Sequence, residues 1–162
     1  MKQRDRVAMT ADEVAALLAE SRKLQLATIN PDGTPHLVTM FYVLLGERIA
    51  FWTYLASQKA RNLARDPRLT CLVETGEEYF ELRGVQVAGR AQIVEDQAGI
   101  LEIGRAVAGG LAGVPADSLD DYVEQAARKR VGVIVEPTRT VSWDHRKLIR
   151  PAENSPNTPK SP

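Results

Sequence analysis

The sequence predicts a mainly β fold of the α+β class: a small antiparallel barrel of six or seven strands with helices at its periphery. Three observations lead there. Runs rich in Val, Ile, Thr, Tyr and Phe recur along the first 95 residues and return near residue 130. Tight-turn sequences, Asn30-Pro31-Asp32-Gly33 and Gly46-Glu47, join the first of these runs into hairpins. Segments of helical period interrupt the strands only at a few places. At 162 residues the chain has the size of one domain with a real core, assigned to residues 1–150.

In order, Thr10-Ala11-Asp12-Glu13 is a capping box, and Val14, Leu17 and Leu18 fall on one face of a short helix over Ala11 to Ser21. Lys23 to Ile29 alternates as a strand, the Asn30–Gly33 turn follows, and Thr34 to Leu45 reads as one long strand. Gly46-Glu47 turns the chain into a third strand, Arg48 to Tyr54. The period then changes: Ala60, Leu63 and Ala64 share a helical face, with Ser57 as the N-cap and Pro67 as the stop. Strands are expected at Arg68 to Glu74 and Tyr79 to Val94, the latter bent at Gly84 and Gly89. A helical region from Asp96 to Arg128 is broken around Gly109 to Pro115, and two strands, Arg130 to Val135 and Thr138 to Trp143, flank Pro137. The tail, 151–162, is too polar and proline-rich to bury surface and is expected to be disordered.

Acidic and basic residues balance at 21 each, so nothing general draws the chain to nucleic acid or membranes, and an anion site has to be local. The single cysteine, Cys71, excludes an internal disulfide; with only two separated histidines it argues against zinc and reads as a small core residue. A polar N-terminus and the lack of a spanning apolar run lead to the expectation of a cytoplasmic protein.

Chemistry concentrates in two segments. At Tyr54-Leu55-Ala56-Ser57-Gln58-Lys59-Ala60-Arg61-Asn62 a strand ends and a helix begins. A first helical turn offers free N–H groups and the positive end of the dipole, here beside a hydroxyl and the Lys59 ammonium, an arrangement that suits a phosphate. The alternative is a solvated basic helix, since Arg65 and Arg68 extend the charge. The second segment, Ser142-Trp143-Asp144-His145-Arg146-Lys147, could stack on and pair with a planar anion, or could be a strand end followed by a solvated basic run. Glu77, Glu78 and Glu81 show no ligand spacing.

Five stretches, LATINPDGTPHLVTMFY, SQKARNLARDPRLTCLVE, LRGVQVAGRAQIVE, KRVGVIVEP and SWDHRKL, resemble in their order the pyridoxamine-phosphate-oxidase-like split-barrel superfamily. More narrowly they are similar to its actinobacterial flavin- and deazaflavin-dependent oxidoreductases, over roughly Thr10 to Leu148. The resemblance implies an FMN-binding type of split β-barrel and a homodimer with cofactor sites at the subunit interface. It places the cofactor ring along Thr39, Met40 and Phe41, and its phosphate at Ser57, Gln58, Lys59, Arg61 and Asn62, with Thr53 just before them. Trp143 and Arg146 are implied to come from the partner subunit. Oxidases acting on vitamin B6 carry cations for the FMN phosphate on the second barrel strand, where this chain has Val38-Thr39-Met40-Phe41-Tyr42. That departure argues against B6 oxidation and favours the deazaflavin coenzyme F420 over FMN.

The expected activity is hydride transfer between the deazaflavin and a small conjugated organic substrate, with FMN chemistry or a non-catalytic cofactor or haem binder as alternatives. A cofactor of this kind carries the chemistry itself, so no catalytic acid is assigned; Tyr42 and Tyr54 are the candidates, and His36 and His145 the available haem ligands.

Overall fold

The computed structural model describes residues 3–149; the expected tail at 151–162 lies outside the described residues. The strands are β1 (Lys23–Ile29), β2 (Pro35–Phe41), β3 (Val43–Leu45), β4 (Arg48–Tyr54), β5 (Arg68–Thr75), β6 (Arg83–Val94) and β7 (Arg130–Asp144). The helices are α1 (Gln3–Val7), α2 (Ala11–Glu20), α3 (Gln58–Arg65), α4 (Gln97–Ala108) and α5 (Leu119–Ala127). All strand pairs are antiparallel, in the order β2-β1-β5-β6-β7-β4-β3. The two end strands, β2 and β3, are consecutive in the chain and joined by one residue, Tyr42. The sheet therefore curls until its edges lie side by side, which is the split barrel.

That junction corrects the reading of Thr34 to Leu45 as one strand. Tyr42 turns inward, is buried, and donates its hydroxyl to the Leu18 carbonyl at 2.6 Å. Its N–H leaves the ladder and donates to the Arg22 carbonyl at 3.0 Å. The chain bends there, and the residues before and after it pair with different strands. Periodicity could not show this, because an aromatic at the bend still fits the pattern of a strand.

Three other elements differ from the expectation. β6 starts at Arg83 rather than Tyr79, since Glu78 to Glu81 close a turn. The last two strands are one 15-residue strand, β7, which carries Pro137 through a bulge. There Ala88 pairs Arg139 while Gly89 pairs Pro137, leaving Thr138 unpaired in the ladder, and a bulge is where a strand tolerates a residue with no N–H. The short α1 carried no sequence signal. The capping box at α2 forms as expected: the Glu13 N–H donates to Thr10 Oγ1 (3.2 Å) and the Thr10 N–H to Glu13 Oε2 (2.7 Å).

Two apolar clusters hold the fold. Inside the barrel Leu24, Leu26, Phe51, Cys71, Val73, Val85 and Val133 pack with Leu17 and Leu18 of α2 and Leu63 of α3. Outside it Ala50 and Trp52 of β4 meet Ile100, Ile103 and Val107 of α4 and Val123 of α5. β4 thus buries both faces, and Gly104 makes the second packing possible: a Cβ there would stand 2.6 Å from Trp52 Cζ3. Cys71 is fully buried, and desolvation pushes its thiol pKa up to about 12, so it is an unreactive core residue. Among the described residues no helix is long and apolar enough to cross a membrane.

Candidate cofactor site

β4 ends at Tyr54, and the chain turns into α3 within three residues. The turn is pinned from both sides: the Ser57 N–H donates to the Tyr54 carbonyl (3.0 Å) and the Leu55 N–H to the Lys129 carbonyl (2.9 Å). Ser57 is the N-cap; its hydroxyl accepts from the Ala60 N–H at 3.3 Å and lies 3.3 Å from the Thr53 hydroxyl. The helical ladder begins with the Arg61 N–H donating to the Ser57 carbonyl. The Gln58 and Lys59 N–H groups therefore project from the first turn without an intrahelical acceptor.

Lys59 is half-buried and makes no hydrogen bond or ion pair among the described residues. Burial lowers its pKa below the usual lysine value, the mark of an ammonium that has lost water and gained no counter-charge. Arg61 is exposed and donates to Gln58 Oε1 at 3.1 Å, which holds its guanidinium over the same turn. A shallow depression of about 460 Å³, lined by Asn30, Pro31, Asp32, His36 and Gln58, adjoins this turn. Asp32 on its rim is already engaged, accepting from the Thr34 N–H (3.0 Å) and hydroxyl (2.6 Å).

Asn62 plays a different part from its neighbours. It is fully buried, and its amide donates to Thr28 Oγ1 (3.1 Å) and Asn30 Oδ1 (3.0 Å) while its oxygen accepts from Gln58 (2.9 Å) and Arg65 (3.4 Å). Those bonds use the amide's whole capacity. Asn62 takes the inward helical place expected for Ala64, which is exposed, and fastens α3 to the β1–β2 hairpin. Arg65 adds a bond to the Ile29 carbonyl. Thr53, also buried, backs Ser57 from beneath.

On β2 the pleat separates the three expected ring contacts. Thr39 and Phe41 face outward with Leu37, whereas Met40 points into the barrel core. Thr39 donates to Gln25 on the neighbouring strand at 3.0 Å. Any contact of Met40 with a ligand on the outer face runs through its backbone.

Trp143 and Arg146 lie elsewhere in the chain. β7 begins at Arg130, paired with Tyr54 beside the α3 turn, and ends at Asp144. At about 3.3 Å per residue, Trp143 is roughly 40 Å further along that strand. Trp143 covers Gly84, where a Cβ would meet the indole at 2.2 Å. Arg146 is clasped by the buried Asp144 through Nε (2.9 Å) and Nη2 (2.7 Å), and its guanidinium holds that carboxyl below the usual carboxylate range. His145 donates from Nδ1 to the Tyr79 carbonyl at 2.8 Å.

The candidate proton donors resolve differently. Burial pushes the Tyr42 phenol up to about 12, and its proton is committed to Leu18; it is a structural group. Tyr54 is exposed, with the Arg130 guanidinium 4.0 Å from its ring centroid and 4.6 Å from that of Trp52. Sequence reasoning missed Arg130, which only the β4–β7 register brings between those two rings.

With this geometry in place, comparison with known proteins gives a family. The pattern described as pyridoxamine 5'-phosphate oxidase matches residues 10–144, and the chain belongs to that split-barrel family. The solved structure of a conserved hypothetical protein from Mycobacterium tuberculosis is 44% identical, with 93% of this chain and 94% of that one covered and a TM-score of 0.85. A structure described as an F420 reductase is 30% identical, covering 77% of this chain and 93% of that one at a TM-score of 0.57. The haem storage protein HutZ from Vibrio cholerae shares the fold at 20% identity and a TM-score of 0.64, with 82% and 94% covered. Comparison with curated proteins yields no match.

Proposed function

We propose that the chain is an oxidoreductase of the deazaflavin coenzyme F420, acting as a homodimer on a small conjugated organic substrate. The observation that carries this reading is Lys59: a half-buried ammonium with no acidic partner among the described residues, beside two free first-turn N–H groups and a capping hydroxyl. A phosphate there would gain charge-assisted bonds and relieve the desolvation. The residues present fit such a group, with Ser57, Gln58, Lys59 and Arg61 holding the phosphate and Thr39 and Phe41 flanking the ring. The likeness to an F420 reductase at 30% identity supports the choice of cofactor. So does the lack of a cation on β2, where Leu37, Thr39 and Phe41 form the outer face.

When bound, the deazaflavin would supply the hydride. The chain's own part is to seat the phosphate, to keep the ring against β2 and to exclude water from it. The exposed Leu37 and Phe41, 65% and 46% accessible, are apolar surface that a second subunit would cover. Trp143 and Arg146 of the partner subunit would then complete the site. Vitamin B6 oxidation forms no part of this reading.

Titrating the purified protein with F420 and with FMN, followed by fluorescence quenching, tests the proposal. F420 binds at least tenfold more tightly if it holds, a difference of about 1.4 kcal/mol; the reverse order replaces it with the FMN reading.

A further inference from the structure

A second cavity, of about 270 Å³, lies where β2 bends into β3. Its walls are mainly apolar: Leu18 of α2, Phe41, Val43 and Leu44 of the bent strand, Val107 of α4, and Leu111 from the loop that follows α4. Phe41 links it to the outer face of β2, so a molecule held here would lie next to the ring position proposed above.

One charged side chain lines this cavity, Arg22. It is an exposed residue between α2 and β1, and one of its Nη atoms donates to the Gly110 carbonyl. That bond uses a single donor of the five a guanidinium carries, and no acidic side chain pairs with Arg22 among the described residues. A largely apolar cleft with a few polar groups, here Arg22 beside Ser21, is the usual form of a small-molecule site. A guanidinium with its fork unfilled is matched to a carboxylate.

We propose that this cavity is the substrate site, and that it takes a planar conjugated organic acid with its carboxylate on Arg22. The volume of about 270 Å³ falls just below the roughly 300–1,000 Å³ found for ligand pockets, which suits one ring or a short conjugated chain. Leu111, carried on a loop that contains Gly109, Gly110 and Gly113, forms the wall that sets the length of molecule admitted. The inference deepens the hydride-transfer reading, but its test does not need the cofactor.

Cinnamate and the uncharged cinnamyl alcohol are titrated into cofactor-free protein and followed by ligand-observed NMR and calorimetry. Cinnamate binds the parent protein, Arg22→Gln weakens it at least tenfold, and cinnamyl alcohol changes less than twofold in that variant. Leu111→Trp, which fills the cavity from the loop, removes binding of both. Ala106→Trp, made at an exposed α4 position on the rim, does the same and serves if the loop variant unfolds. Absence of cinnamate binding at several millimolar overturns the proposal. So does equal weakening of acid and alcohol in Arg22→Gln, which would show that Arg22 only fastens the loop through Gly110. Failure of F420 to bind in the separate titration would remove the cofactor reading and leave these results standing.

Discussion

Asn62 of α3 and Thr28 of β1, 34 positions apart in sequence, meet through a 3.1 Å hydrogen bond with both side chains buried. With the bonds to Asn30 and Gln58, this fixes how α3 approaches the barrel, and so where Ser57 and Lys59 stand.

Replacing Asn62 with Ala leaves the buried Thr28 hydroxyl without its donor and opens a void. The expected cost is about 1–3 kcal/mol, the range for a buried polar group left unsatisfied. Chemical denaturation measures it. Cofactor affinity should fall as well, because the turn shifts, whereas an Asn62 that only touched ligand would lower affinity and leave the denaturation midpoint unchanged.

Lys59→Ala should behave in the opposite way. It removes a charge-assisted contact worth roughly 1.5–3 kcal/mol, so cofactor affinity drops by about one to two decades with little change in stability. Because burial lowers the Lys59 pKa, the protonated form is lost at lower pH than for a free lysine. Affinity of the parent protein should therefore already decline as pH rises towards the ordinary lysine pKa, near 10.4, and Lys59→Arg should flatten that decline, since a guanidinium stays charged. Arg65→Ala, whose side chain bonds Ile29 and Asn62, should register mainly as lost stability.

How much of this was legible in sequence depended on whether the signal was local. Ser57 as cap, Thr10 with Glu13, and the strand spans Lys23–Ile29 and Arg48–Tyr54 rest on neighbouring residues and were readable. The bend at Tyr42, the union of the last two strands across Pro137, and the role of Asn62 depend on partners from 24 to about 50 positions away. Likewise, Met40 sits in the same run as Thr39 and Phe41, and only the pleat of a real sheet turns it to the other side. A residue's type told what chemistry it could do; the register decided where.

Asp144 gives a pH-dependent prediction for stability. Its buried carboxylate is held below the usual range chiefly by the side-chain bond from Arg146. A carboxyl whose folded pKa is depressed contributes stability in full above its unfolded value, near 3.9, and loses that contribution as pH falls through the folded one. Melting temperature of the parent should thus fall more steeply below about pH 4 than that of Asp144→Asn, while the variant is the less stable of the two at neutral pH. Parallel curves at acid pH would show that the Asp144–Arg146 clasp contributes nothing.

The proposed composite site makes a sharper demand. In one chain Trp143 stands at the far end of β7 from the Tyr54 turn, so the composite reading requires the ligand on Lys59 to meet Trp143 of a second copy. In a two-fold dimer each site then takes Lys59 from one subunit and Trp143 from the other. Lys59→Ala and Trp143→Ala homodimers should both bind cofactor weakly, each having every site damaged. When the two variants are co-expressed with different tags, the mixed dimer carries both lesions in one site and none in the other. Random pairing makes about half of the dimers mixed, so about a quarter of all sites recover parental affinity. Titration of the doubly purified mixed dimer should show one tight site per dimer. If each subunit instead supplied both residues to its own site, no tight site would appear in any mixture. Light scattering on the parent at micromolar concentration supplies the companion measurement, and a monomer there would remove the composite site altogether.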